Sequence, residues 1–315
     1  MSTTAIAHPN IALIKYWGKQ PGPGNVPATP SLSITLDQLV STTTVDGSAD
    51  GTDRIVLNGE ETQDAKIDAC LAMLRENFEV EPLTIESHNN FPTAAGLASS
   101  ASGFAALITA INAHCGLALS DADRAVSARK ASGSAARSIY GGFAGLSGPD
   151  WIAQPLIEAH EWPLGVVIAI TDENRKSVSS SLGMKVSEET SPFYAPWVTS
   201  TEEDYAAALS ALKNRDFNQM ADLSESSCLK MHGVMLSSRP PMIYWRPATL
   251  ACIHAVREMR AEGLPVFFTI DAGPQIKAVC LPDALDAVAE RLAAIPGVLS
   301  TRTVGLGGGA HTLEP

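Results

Sequence analysis

The chain of 315 residues is short of basic side chains: 22 Lys and Arg stand against 34 Asp and Glu, a formal charge of −12. Nucleic-acid backbones and anionic bilayers both repel such a surface, so neither is expected as a partner. Its five cysteines, Cys70, Cys115, Cys228, Cys252 and Cys280, form no CxxC and no cluster with histidine, which argues against a disulfide framework or a structural zinc site. The seven histidines show neither HxxxH nor HExxH spacing, against a zinc hydrolase. The start, MSTTAIAHPNIALIKYW, lacks a basic segment followed by a long apolar run and does not read as a signal peptide, so the cytoplasm is the expected location. At 45% hydrophobic and 18% charged, the composition is that of a globular chain rather than a disordered one.

The largest absence is local. Residues 87–120 are 34 positions without a single Asp, Glu, Lys or Arg. A membrane-spanning helix needs roughly 20 predominantly apolar residues. Here His88, Asn89, Asn90, Pro92, Gly96, Gly103, Asn112 and His114 interrupt the run, so a strand, a turn and a helix buried inside protein are expected instead of a membrane span.

The patterning of the rest predicts a mixed fold. Residues 5–17 are β-like and run into QPGPGNVPATP, which excludes regular helix. Residues 31–37 alternate with period two, and Asn58-Gly59 signals a hairpin. Residues 64–78 form a helix with Ile67, Cys70, Leu71 and Leu74 on one face. FPTAAGLASS leads into a long helix to about residue 115, and Ser120-Asp121-Ala122-Asp123 starts another. After a change of composition near Trp162-Pro163, LGVVIAITD reads as a buried strand, with helices over 191–213, 217–236 and 248–262. VFFTID and IKAVCL are strands, DALDAVAERLAAI a helix and STRTVGLGG a last strand. Strands followed by segregated helices, without steady βαβ alternation, indicate an α+β fold in two halves, 1–163 and 164–315.

Four segments can carry chemistry. In PTAAGLASSASG (92–103), small side chains leave backbone N–H groups uncovered where a helix begins. That suits phosphate and equally suits close helix packing; the Walker pattern GxxxxGK[ST] is absent. In ASGSAARSIYGG (131–142), Ser132, Ser134 and Arg137 can present two hydroxyls and a guanidinium to one anion, or form a helix cap with a surface arginine. In NIALIKYWGK (10–19), a continuous strand would put Lys15, Trp17 and Lys19 on one face and Tyr16 on the other, and lysines beside apolar residues commonly snorkel. In FFTIDAGP (267–274), Asp271 ends an apolar strand, where it can act as a general base or metal ligand, or simply initiate the turn before Gly-Pro. GLGGGA (305–310) has no helix to open and reads as a turn, not a dinucleotide loop.

Taken in order, NIALIKYWGK, NNFPTAAGLASSASGFAAL, RKASGSAARSIYGG, DENRKSVSSSLGM and FTIDAGP resemble the diphosphomevalonate decarboxylase family of the GHMP kinase superfamily, over residues 10–274. The resemblance implies an S5-like N-terminal half and a ferredoxin-like C-terminal half with the active site between them. It implies ATP-dependent decarboxylation of mevalonate 5-diphosphate to isopentenyl diphosphate, carbon dioxide, ADP and phosphate, with Mg²⁺ on the ATP phosphates, in a homodimer. Asp271 would orient or deprotonate the C3 hydroxyl, with Lys19 near that carboxylate and also in contact with substrate. Tyr16, Ser132, Ser134 and Arg137 would hold the substrate diphosphate. Ala94, Ala95, Gly96, Leu97, Ala98, Ser99 and Ser100 would cradle the ATP phosphates, and Ser180 would touch the transferring one. The resemblance gives Asn10 no definite role and implies no protein ligand for a metal. Two positions depart from the family pattern: Gln20, where several relatives carry a second basic residue, and Ser181, where some bacterial relatives carry an arginine. These departures leave mevalonate 5-phosphate as an alternative substrate. A relative that phosphorylates without decarboxylating and a non-catalytic ligand sensor are further alternatives, against which Asp271, Lys19 and Arg137 together speak.

Overall fold

In the computed structural model the described residues are 1–91, 99–174 and 178–314. Ala94, Ala95, Gly96, Leu97 and Ala98 of the expected phosphate loop lie outside them. Three sheets organise the rest. The first runs in the order His311–Thr312, Thr3–Ala7, Ser41–Gly47, Leu83–Asn89, Arg54–Leu57, Glu60–Glu61. Its Arg54–Leu57 and Glu60–Glu61 strands form the hairpin that Asn58-Gly59 signals, with φ of 51° and 85° at those two positions. The second sheet is Asn10–Ile14, Ser31–Thr35, Phe143–Ser147, Ile152–Ile157, and the third Val266–Thr269, Ile276–Cys280, Gly165–Ile170, Ser300–Val304; both are antiparallel throughout.

The uncharged stretch becomes the helix Ser99–His114, whose side chains from Ala101 to Ile111 are almost all buried. It packs on the Thr3–Ala7 and Ser41–Gly47 strands on one side, and on the helix Asp121–Ala131 and the 3-10 turn Ala135–Ile139 on the other. A helix apolar on all sides is stable only when surrounded, and protein surrounds this one. No described helix is long and apolar enough to cross a membrane. The neighbouring helix Asp121–Ala131 opens on a capping box in which Ser120 and Asp123 satisfy each other's backbone N–H groups.

The second sheet is a middle layer. Ile11, Leu13, Leu32, Ile34 and Phe143 share one buried cluster with Val166, Ile168, Phe267 and Val279 of the third sheet. On the opposite face, Ala144, Leu146 and Ala153 join the core around Phe104 and Leu107. The Ser31–Thr35 strand is therefore buried on both faces, and its alternation separates an apolar face from a hydroxyl face rather than core from solvent.

Helices Tyr194–Asn214, Phe217–Leu236 and Pro247–Ala261 follow the expected positions closely. One more, Ser180–Thr190, was masked in the sequence by its Ser-Ser-Leu-Gly start; Ser179 caps it, accepting from the Leu182 N–H at 3.3 Å. The end of the chain returns to the first half. Leu306 bridges Leu36, the Gly307 N–H donates to the Thr35 carbonyl at 2.8 Å, and the Ala310 N–H donates to the Ile139 carbonyl at 3.0 Å. GLGGGA is thus extended chain packed backbone to backbone rather than a turn. A Cβ on Gly307 would stand 2.4 Å from the Leu36 carbonyl oxygen, so only glycine permits the approach. Gly307→Ala is expected to destabilise the fold by about 1–3 kcal/mol in urea unfolding, and an unchanged midpoint would contradict this packing.

Candidate functional site

A cavity of about 540 Å³ opens where all three sheets meet the starts of two helices. Asp271 enters it from the third sheet. The strand Val266–Thr269 is wholly buried, and the chain then turns sharply, the Gly273 N–H donating to the Asp271 carbonyl at 2.7 Å. Lys15 Nζ donates to Asp271 Oδ1 at 2.6 Å, and Lys277 Nζ lies 3.2 Å from Oδ2. Both lysine side chains are 1% exposed and the aspartate 26%, its open side being the cavity. Burial pushes the Asp271 carboxyl up, but the two ammonium groups outweigh it and hold the acid well below the usual carboxylate range.

The lysine on Asp271 is therefore not the one expected. Lys19 donates to Asn25 Oδ1 at 2.7 Å and to Ser181 Oγ at 3.3 Å, while Lys15 and Lys277 take the carboxylate. The cause is local. The strand ends at Ile14 after a register shift between Ala12 and Ile14, so the continuous alternation that would group Lys15 with Lys19 does not exist. Leu13 and Ile14 enter the same apolar cluster, the Lys15 N–H donates to Ser227 Oγ at 2.9 Å, and the Lys15 side chain runs inward. Lys19 still lines the cavity, at another wall; burial and the nearby Lys66 lower its pKa.

Tyr16, Ser132, Ser134 and Arg137 do come together. Arg137 is not a surface arginine: it is 2% exposed and donates from Nε to Ser33 Oγ at 3.0 Å, from Nη1 to Ser31 Oγ at 2.6 Å and from Nη2 to Asn10 Oδ1 at 3.3 Å. Burial pulls its pKa down to about 10, which leaves a cation at neutral pH. Asn10 in turn donates from Nδ2 to the Ser134 carbonyl at 3.0 Å and to Ser138 Oγ at 2.8 Å. It therefore ties the first strand of the middle sheet to the serine segment and orients the guanidinium. Ser31 and Ser33, hidden in the sequence by a period-two pattern that reads as a half-exposed strand, are the other members of this cradle. Tyr16 Oη lies against Gly133, where a Cβ would approach to 2.5 Å. It is buried without a hydrogen-bond partner among the described residues, and burial raises its pKa, so it stays a protonated donor.

Two helix starts face the same space. Ser99, Ser100 and Ala101 come from one, and Ser179, Ser180 and Ser181 from the other. The positive helix end favours anions at both. Among the described residues the charged lining comprises four cations, Lys15, Lys19, Lys66 and Arg137, and two carboxylates, Asp64 and Asp271. Among the described residues no group of three or more His, Cys, Asp or Glu could hold a metal ion. That donor set fits Mg²⁺ carried mainly by phosphate oxygens and water, with the Ser99 and Ser100 hydroxyls at hand, rather than a protein cage.

Residues 7–149 match the diphosphomevalonate decarboxylase-like N-terminal domain, and residues 166–302 the mevalonate 5-diphosphate decarboxylase C-terminal domain. The chain belongs to the diphosphomevalonate decarboxylase family. The human diphosphomevalonate decarboxylase is 36% identical, over 93% of this chain and 80% of its own length. The mevalonate diphosphate decarboxylase from Enterococcus faecalis is 38% identical with a TM-score of 0.91, over 100% of this chain and 99% of that one. A structure solved with MVAPP, AMPPCP and magnesium gives the same identity, coverage and TM-score. The α+β fold is that of these decarboxylase structures. Within this family member the Asn10 amide is expected to act through Arg137: Asn10→Ala should raise the KM for the phosphorylated substrate roughly 5- to 100-fold, the equivalent of one buried hydrogen-bonded group left unsatisfied, with kcat little changed. A fall in kcat alone would contradict that role.

Proposed function

We propose that the residues around this cavity carry the ATP-dependent decarboxylation of mevalonate 5-diphosphate, the reaction of the family to which the chain belongs, in the following roles. Arg137, oriented by Asn10, Ser31 and Ser33, holds the substrate diphosphate together with Tyr16, Ser132, Ser134 and Lys19. That anchor fixes the far end of the substrate and so presents its C3 hydroxyl to Asp271. The observation that carries the assignment is the Asp271 carboxylate, ionised and open to the same cavity as both helix starts.

A carboxylate held this far below its usual range is a poor equilibrium base. It accepts a hydrogen bond from the hydroxyl, aims the oxygen and takes the proton late, as the phosphoryl group arrives. The ATP phosphates lie at the start of the Ser99–His114 helix, and Ser180 faces the group in transfer. Mg²⁺, when bound, would supply charge neutralisation on those phosphates, and the Ser99 and Ser100 hydroxyls would help to hold it. A tertiary alcohol leaves poorly and its phosphate leaves well. Breaking the C3–O bond builds positive charge at C3, and the departing carboxylate releases carbon dioxide and leaves its electron pair in the new double bond. Lys15 keeps the reacting region electropositive while phosphate departs.

We also propose a division into 1–163 and 164–315, and a cytoplasmic homodimer, as expected for the family. The third sheet is built wholly within the second segment, and the shared apolar cluster joins the two. Asp271→Asn is expected to bind substrate nearly normally and to lose most turnover, whereas Arg137→Met should chiefly weaken substrate binding. Release of ¹⁴C-labelled carbon dioxide with ATP and either mevalonate 5-diphosphate or 5-phosphate tests the reaction itself: release with the diphosphate is expected, and ADP without carbon dioxide would contradict it.

A further inference from the structure

Two lysines meet Asp271, but only one of them faces the reaction. Lys15 and Asp271 line the cavity, whereas Lys277 is not part of its lining. Lys277 stands on the Ile276–Cys280 strand, in register with Thr269 and Ile168, and is 1% exposed. Burying an ammonium in a sheet core is costly unless it is paired, and its partner is Oδ2, the oxygen that Lys15 does not use. With one cation on each oxygen, the carboxylate cannot rotate about Cβ–Cγ without breaking an ion pair.

We propose that Lys277 is a positioning residue: from behind the cavity it pins Oδ2 of Asp271 and acts as its permanent counter-ion, which frees the Lys15 ammonium to turn toward the phosphoryl group. This rests on the reading of Asp271 as the carboxylate of the reaction. The division of labour follows from placement. Lys15 borders the space into which a phosphate would come, and if it were the only counter-ion, any movement toward that phosphate would leave a half-buried carboxylate uncompensated. Other ionisable groups face the cluster from each neighbouring element. Cys228 and His232 come from the helix Phe217–Leu236 and Arg137 from the 3-10 turn. Burial raises the Cys228 thiol to about 11 and lowers His232 to about 3, so both are neutral near pH 7, and among the described residues the charges acting on Asp271 there are those of Lys15, Lys277 and, farther off, Arg137.

The test compares Lys277→Met, Lys277→Gln and Lys277→Arg with the parent protein. A ¹³C NMR titration of the Asp271 carboxyl without ligands and kcat and KM across pH are the two readouts. Removing a positive charge makes the ionised carboxylate less favourable, so the Asp271 midpoint should rise by about 1–3 pH units in the Met and Gln proteins and stay low in the Arg protein. Any stability the ionised group contributes should correspondingly be lost at a higher pH as the solution is acidified. The acid limb of kcat should move up with the midpoint, and kcat should fall roughly 10- to 100-fold with KM for mevalonate diphosphate within about threefold. A midpoint and acid limb that stay put in Met and Gln overturn the proposal, even if kcat falls. Failure of both to fold assigns Lys277 a structural role and overturns it too. Asp271→Asn separates the two readings: if that protein retains turnover, the assignment of Asp271 fails by itself, whatever the Lys277 variants do.

Discussion

The carboxylate of Asp271, held between two buried ammonium groups, is the contact on which the site depends. It joins the two halves of the chain: Lys15 comes from the end of the Asn10–Ile14 strand, and Asp271 and Lys277 come from the third sheet. Desolvating three charges is expensive, and the cluster is retained only because each ion has a partner at 2.6 or 3.2 Å. Its net charge is positive, so an incoming phosphate adds a counter-charge instead of competing with one. The apolar cluster of Ile11, Leu32 and Phe143 with Val166 and Phe267 brings the two sheets into contact and so sets the distance across which Lys15 must reach.

An overall charge of −12 and a diphosphate substrate coexist because the two act on different scales. Surface charge is screened beyond about 8–10 Å at ordinary ionic strength, whereas groups facing one another in a cavity are not. There, among the described residues, Lys15, Lys19, Lys66 and Arg137 outnumber Asp64 and Asp271, and the positive ends of two helices add to them without adding formal charge. The charge-free run of residues 87–120 belongs to the same arrangement. A helix buried against the first sheet can carry its N-terminus to the substrate only if its sides need no water.

Much of this was legible in the sequence, because local rules govern it. The Asn58-Gly59 hairpin, the Ser120–Asp123 capping box and the apolar face of the helix Ala65–Arg75 rest on near neighbours along the chain. The approach of Tyr16, Ser132, Ser134 and Arg137 was legible only through the family resemblance, since nothing local brings residue 16 to residue 134. What stayed hidden was tertiary. A one-residue irregularity in the Asn10–Ile14 strand decides that Lys15 and not Lys19 meets Asp271. Burial of both faces of Ser31–Thr35 turns two ordinary serines into acceptors for a buried guanidinium. Glycines 307 and 309 make sense only beside the backbone they lie against.

The most direct test of this arrangement is steady-state kinetics of Lys15→Met and Lys19→Met side by side, with mevalonate diphosphate and ATP. If Lys15 serves the reacting carboxylate and Lys19 the diphosphate wall, the first should lose kcat with KM nearly kept, and the second should lose chiefly KM. The reverse pattern, with kcat lost in Lys19→Met and KM alone raised in Lys15→Met, would contradict the account.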